Sequence, residues 1–343
     1  MARRPTIKDV AQAAGVSATT VDRALNGRSI VRDETMRKIA DAAHKVGYHS
    51  KGIFLSRLDR PLPELKLGFV LLKESHQFYK DFARHIENAI SERHDVRITA
   101  DIRFATSQSP DEFSDLLLDL GRDCDAIGCT AVNDPRLNRV VQELKDKDVA
   151  VVSLLNDFAQ GIRKNYVGLN NMKIGRMAAW MITKTVQNPG KLAIFVGGNR
   201  WHGHDMREVG YRSYIRETDS SFTVLETLVN LEARQVTYEA TMDLLQRHPD
   251  LCGIYVAGGG MEGAISALRE THSKPQVSLV VNELTAESRA GLIDGYVTMV
   301  LSTPLKELCG KLIELMVKST VEQDDGVTGQ KFLDARIVLP ESV

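Results

Sequence analysis

The sequence predicts an all-α head of three short helices followed by an α/β body of parallel strands, and three observations carry that reading. Over the first 50 residues apolar side chains recur at helical spacing, bounded by capping residues and glycines. From Leu65 onward short apolar runs alternate with amphipathic stretches of roughly 10–16 residues, the pattern of strands joined by helical crossovers. Charge divides at the same place. Residues 1–60 hold 12 Lys/Arg against 6 Asp/Glu and the remainder holds 32 against 39, so a basic end is attached to an acidic body. Such an asymmetry points to one polyanion-facing surface.

The chain has 343 residues, enough for two or three domains at roughly 100–200 residues each. The expected division is residues 1–50, a linker over 51–64, and a body over 65–343. With 43% hydrophobic and 26% charged residues the composition is globular, which excludes extensive disorder. No apolar run reaches the ~18 residues of a membrane span, and Met1–Asp22 lacks the apolar core of a signal peptide. Cys124, Cys129, Cys252 and Cys309 are scattered, with no CxxC pair, and are expected to be small buried hydrophobes in a reducing compartment. The expectation is a cytoplasmic protein without membrane contact.

In the head, Thr6-Ile7-Lys8-Asp9 reads as a capping box in which Asp9 reaches back to the start of the helix. Ile7, Val10, Ala11 and Ala14 form its apolar face, and Gly15 ends it by turning left-handed without steric cost. Val16 is the apolar turn residue. Ser17 then caps a second helix carrying Val21, Ala24 and Leu25 inward. A third helix is expected over Asp33–Val46, ended by Gly47. Two helices joined by Gly-Val-Ser make a helix-turn-helix, whose second helix inserts its start into the major groove of double-stranded DNA. That places Ala18, Thr19 and Arg23 at base edges, and Thr6, Ser17, Thr20 and Asn26 beside the phosphate backbone.

TIKDVAQAAGVSATTVDRALNGR followed by VRDETMRKIADAAHKVGY resembles the head of the LacI/GalR family of bacterial regulators almost position by position. One departure is Asp22, where many members have Ser; an acid beside phosphates weakens binding unless a base screens it, and the expectation is an ion pair. The resemblance further implies a hinge that wedges an apolar side chain into the minor groove on operator binding. The usual hinge pattern is absent here, leaving Leu55 or Leu58 as the wedge.

Strands are expected over Lys66–Leu72, Asp95–Asp101, Ala126–Ala131, Val149–Leu155, Lys191–Gly197, Phe222–Leu228, Gly253–Ala257, Val277–Val281 and Val297–Ser302. Alone, this pattern fits one wide sheet or two smaller lobes. The resemblance implies two Rossmann-like lobes of a periplasmic binding protein-like body, with chain crossovers near 156–166 and 280–305. Ligands of parallel sheets bind beyond the carboxyl ends of the strands. The loops there supply Phe78 and Tyr79, Asn133, Asn156 and Asp157, Trp201 and His204, Gly258, and Ser302. By resemblance, Arg207 and Glu283 match effector-binding positions and would form paired hydrogen bonds to vicinal hydroxyls or a carboxylate.

Two rival readings come from the same loops. Gly258-x-Gly260-x-x-Gly263, followed twenty residues on by Glu283, matches a dinucleotide fingerprint and implies an NAD-dependent oxidoreductase. His202-x-His204 with Asp205 resembles part of a zinc site, yet catalytic zinc needs three placed ligands. Neither explains the head. The favoured expectation is a non-enzymatic, cofactor- and metal-free homodimer that binds a pseudo-palindromic operator. A sugar, polyol or related metabolite held between the lobes would control its affinity. The helix Leu305–Val317 is expected to contribute to the dimer surface because of its apolar content.

Overall fold

The computed structural model describes residues 5–26, 31–48, 62–218, 221–271, 277–321 and 328–343. The chain divides into two units, residues 1–65 with 90–99, and residues 66–89 with 100–343. The head contains α1 (Ile7–Ala14), α2 (Ala18–Asn26) and α3 (Asp33–Lys45). The Thr6 amide and hydroxyl donate to the Asp9 carboxylate at 2.7 and 2.8 Å, which fixes the start of α1. Gly15 adopts φ 67°, so the Val16 amide can fold back onto the Ala11 carbonyl at 3.0 Å. Ser17 Oγ accepts from the Thr20 amide at 3.1 Å and starts α2. Val10, Val21, Ala24, Ile39 and Ala43 are fully buried between the three helices. The Asp22 carboxylate accepts from the Asn26 amide at 2.7 Å rather than from a base, so among the described residues the expected ion pair is replaced by an i,i+4 hydrogen bond from a neutral donor. Leu55 and Leu58 lie outside the described residues.

In the body, β1 (Glu64–Leu72), β2 (Arg97–Ala105), β3 (Ala126–Cys129), β4 (Ala150–Leu154) and β5 (Asn165–Leu169) build a first sheet. A second sheet contains β6 (Lys191–Val196), β7 (Thr223–Val224), β8 (Leu228–Val229), β9 (Leu251–Val256), β10 (Ser278–Asn282) and β11 (Met299–Ser302). The last two strands separate: β12 (Gly329–Leu333) joins the first sheet beside β5, and β13 (Arg336–Val338) joins the second antiparallel to β11. The orders are β12-β5-β4-β3-β1-β2 and β13-β11-β10-β9-β6-β7, with β8 also paired to β6. Between strands run α4 (Gln77–Ser91), α5 (Pro110–Leu120), α6 (Pro135–Asp146), α7 (Asn171–Thr185), α8 (His202–Thr218), α9 (Arg234–Arg247), α10 (Met261–Glu270), α11 (Ala286–Ile293) and α12 (Leu305–Val321). Strands covered on both faces read as continuous apolar runs, and all of β9 is buried.

The body is therefore two parallel α/β lobes, with several local departures from expectation. β5, β12 and β13 are absent from the expected strands: β12 and β13 are largely exposed and lack the apolar signal of central strands, and in the buried β5 Asn165 and Gly168 break the apolar run. The expected strand Phe222–Leu228 is two separate two-residue pairings on β6. Because β5 follows it in the first sheet, the segment 156–166 stays within that lobe and the crossing comes at residue 170. The chain crosses again between β11 and α12, and a third time between β12 and β13. The apolar face of α12 is not free for a partner: Leu308, Cys309, Leu312, Ile313 and Met316 are buried, and the helix packs on β3, β4 and β5. All four cysteines are free and buried.

Candidate functional site

The first candidate surface is the helix-turn-helix. Thr6, Ser17, Ala18, Thr19, Arg23 and Asn26 are exposed and Thr20 is half-buried, while Val21 and Ala24 face inward. Helix α2 thus presents its start and one polar face, with the inward face anchored. Ser17 and Asn26 have local hydrogen bonds that hold them in place.

The second is a cleft between the lobes of the body, whose empty space of about 820 Å³ includes open solvent at its mouth. Its walls are the carboxyl ends of strands. Lys73 follows β1, Thr130 follows β3, Leu155 and Asn156 follow β4, Gly258 and Gly259 follow β9, and Asn282 ends β10. Of the expected effector residues, Phe78, Tyr79, Asn156, Trp201, His204, Arg207, Gly258 and Glu283 line this cleft. Asn133, Asp157 and Ser302 do not. Asn133 is exposed, and its backbone amide donates to the Arg200 carbonyl at 2.8 Å. Asp157 is turned into the first lobe, where Arg163 contacts both its oxygens at 2.6 and 2.8 Å and Gln330 of β12 adds a bond at 3.0 Å. Ser302 stands behind Glu283 and donates to it at 3.2 Å.

The polar groups of the cleft are strongly preorganised. Glu283 accepts from the Thr303 amide and hydroxyl at 2.9 and 2.6 Å; burial raises its pKa against these bonds and the attraction of Arg207. Arg207 donates through Nε to Asn171 Oδ1 at 2.8 Å and through Nη1 to the Ala257 carbonyl at 2.6 Å. Both partners are neutral, and Arg207 has no ion pair among the described residues. His204 Nδ1 accepts the Gly197 amide at 3.1 Å, which leaves its proton on Nε2 facing Glu232 at 3.9 Å. Burial, reinforced by Arg207, lowers its pKa to about 3, so the imidazole is a neutral donor. Burial and the nearby Glu232 and Glu283 raise the Tyr79 phenol, keeping it protonated.

Three buried polar atoms of residues in this lining have no protein partner among the described residues: His76 Nδ1 and Thr130 Oγ1 from the first lobe and Asn282 Oδ1 from the second. Thr130 and Asn282 are 1% and 2% exposed, and buried polar atoms are otherwise almost always paired. Backbone strain gathers here too. Of the seven described non-glycine residues at positive φ, Lys73, Leu155, Glu232 and Glu283 line the cleft. Such conformations cost about 1–3 kcal/mol each and persist where the surroundings over-determine them.

The glycine fingerprint has a different use. A Cβ on Gly258 would fall 2.5 Å from the His204 ring, and one on Gly263 would fall 2.1 Å from the Arg234 carbonyl. These glycines let a histidine and helix α9 approach closely. His202 lines a separate recess, and no cluster of three metal-ligating side chains occurs among the described residues. Sequence reasoning missed Lys73, Thr130 and Glu232. The first two sit at the end of an anticipated strand or just beyond it, so the strand-end rule alone pointed to them, although their residue types did not.

Comparison with known proteins covers both parts. The family described as periplasmic binding protein domain matches residues 67–321, and that described as bacterial regulatory proteins, lacI family, matches residues 6–51. The HTH-type transcriptional regulator RegA of Clostridium saccharobutylicum is 24% identical over 91% of this chain and 91% of its own. The sucrose operon repressor of Streptococcus mutans is 22% identical over 93% of each. Among solved structures, a transporter solute-binding protein of Burkholderia graminis in complex with D-arabinose superposes with a TM-score of 0.74 at 17% identity, over 82% of this chain and 97% of that one.

Proposed function

As a member of the lacI family of bacterial regulatory proteins with a periplasmic binding protein domain behind its head, the chain is a DNA-binding transcriptional regulator and not an enzyme, and we propose that it is a homodimeric repressor controlled by a sugar or sugar derivative held in the inter-lobe cleft. The observation that carries the effector reading is the pair of buried, unpartnered atoms Thr130 Oγ1 and Asn282 Oδ1, on residues that line one cleft from opposite lobes. A polyhydroxylated ligand satisfies both, takes further bonds from Arg207 and the His204 Nε2 proton, and lays an apolar face on Phe78 or Trp201. Because its contacts come from both lobes, such a ligand binds the closed arrangement better than the open one and shifts that equilibrium.

On the DNA side, Ala18, Thr19 and Arg23 read base edges, and Thr6, Ser17, Thr20 and Asn26 hold the backbone. Two heads related by a two-fold axis would engage half-sites about one helical turn apart, with Leu55 or Leu58 as a minor-groove wedge. Solvent exposure of the base-reading set and its rigid capping by Ser17 support this reading.

Fluorescence anisotropy on DNA from upstream of the protein's own gene, with a panel of pentoses, hexoses, their acids and disaccharides, tests both halves. The expected result is salt-sensitive binding at one pseudo-palindromic site, changed about 5- to 150-fold by one panel member. Operator binding that no sugar alters overturns the effector reading. Absence of sequence preference overturns the assignment of the head residues.

A further inference from the structure

We propose that Gln108, which does not line the cleft, is a latch that holds the two lobes closed without any ligand. Its side-chain oxygen accepts from Trp201 Nε1 at 3.0 Å, and its side-chain nitrogen donates to Glu232 Oε2 at 3.4 Å. Gln108 belongs to the first lobe and Glu232 to the second, while Trp201 precedes the second-lobe helix α8 and inserts its side chain into the apolar core of the first lobe. The indole can only donate and the carboxylate can only accept, so one amide orientation serves both and the flipped one serves neither.

The segment carrying Gln108 is anchored on both sides. Before it, the Glu112 carboxylate accepts the backbone amides of Thr106 and Ser107 at 2.6 and 2.9 Å. After it, Ser109 caps α5 through the Asp111 amide, with Pro110 at the first helical position. Gln108 is thus presented on a stiff turn, so little freedom is lost when it meets the opposite lobe. Two further bonds cross the same gap independently: Asn156 Oδ1 accepts the Gly203 amide at 2.8 Å, and the Asn133 amide donates to the Arg200 carbonyl at 2.8 Å. Closure therefore has a protein-only component, to which the Gln108 side chain contributes. Losing it lowers the closed-to-open ratio by about fivefold to tenfold, the usual worth of one or two net hydrogen bonds. Apparent ligand affinity falls with the closed fraction.

This inference rests on the reading that the cleft opens and closes, and its test uses neither sugar nor DNA. Failure here therefore leaves the effector assignment standing, and failure of a sugar panel leaves the latch standing. In a Trp180→Phe background Trp201 is the sole tryptophan. Gln108→Ala is expected to raise acrylamide quenching of Trp201 and to accelerate amide exchange at Gly203 about fivefold to tenfold. Gly203 reports on the far bond to Asn156, which Gln108 does not touch. Unchanged Gly203 exchange overturns the latch, whatever Trp201 does, because the effect is then confined to one contact. Gln108→Glu guards against an unfolded alanine variant. It keeps the volume and the acceptor for Trp201 but sets a second carboxylate beside Glu232. It should accelerate Gly203 exchange relative to wild type at pH 7, because two like charges then face each other across the gap. Exchange at the wild-type rate in this variant also overturns the proposal.

Discussion

In the head, Ser17, Ala18, Thr19 and Arg23 stand exposed along one turn and one helix, whereas the cleft draws Tyr79, Thr130, Asn156, Arg207 and Asn282 from separate strand ends and helices and largely buries them. The head's surface is held by local bonds, such as Ser17 to Thr20 and Asp22 to Asn26. The cleft is held by long-range ones, such as Arg207 to Ala257 and Asn156 to Gly203. A recognition surface built from consecutive residues needs only its helix to form. A buried site needs two sheets and the gap between them.

If that contrast is right, the largest effect of a single change should come from the long-range scaffold of the body. Asp157 and Arg163 are about 95% buried and paired, so Asp157→Ala leaves a buried guanidinium without its partner. Breaking such a pair costs about 3–5 kcal/mol, read as a shift in urea unfolding of the body. Burial opposes the Asp157 charge, but Arg163 and the hydrogen bonds of Ser153 and Gln330 outweigh it and hold the carboxyl below its usual range. A depressed folded-state value means the stabilisation is complete above about pH 4 and fades as pH falls through that lower value. The gap between wild type and Asp157→Asn should therefore shrink in acid; a constant gap from pH 7 to pH 3 would show that packing, not charge, is responsible.

Next in size, Arg207→Ala is expected to weaken effector binding about 100-fold, within the 2–5 kcal/mol range for truncating a buried charged partner, while sparing operator affinity. Titrating the responding sugar against both proteins by calorimetry measures it, and an unchanged isotherm would remove Arg207 from the site. In the head, Arg23→Ala should cost about 1–3 kcal/mol of specific binding and relax preference at one base position. Equal losses on specific and random DNA would make Arg23 a phosphate contact. The smallest effect belongs to the local cap: Ser17→Ala should lower the stability of the head by about 1 kcal/mol, seen in its thermal unfolding. A loss as large as that of Asp157→Ala would erase the contrast between local and long-range support.

These differences also explain what could be read in advance. α1, α3 and the start of α2 match the expected positions to within a residue, because Thr6, Gly15, Ser17 and Gly47 are local signals whose physics does not depend on the rest of the chain. Central strands such as β1, β6 and β9 were legible as apolar runs. The edge strands β12 and β13 were not, since an edge needs one partner and little burial. Arg207 and Glu283 were singled out by family resemblance and do line the cleft. Asp157 and Ser302 carried the same kind of polar signal but are directed elsewhere, by Arg163 and by Glu283 respectively.

By itself the sequence determined the class of each part: a capped helical head with a basic surplus, and a body of alternating strands and helices. Periodicity, capping and charge are properties of short segments, and they survive without knowledge of the partners. Only the tertiary structure decided that β5 delays the lobe crossing, that α12 is buried within one lobe, and that Thr130 and Asn282, each with an unpaired side-chain oxygen, line one cleft. It also decided that Gln108 reaches across to Trp201. Those outcomes depend on which strand ends meet in space, and hydrogen bonds between residues 93 or 47 positions apart leave no periodic trace in the chain.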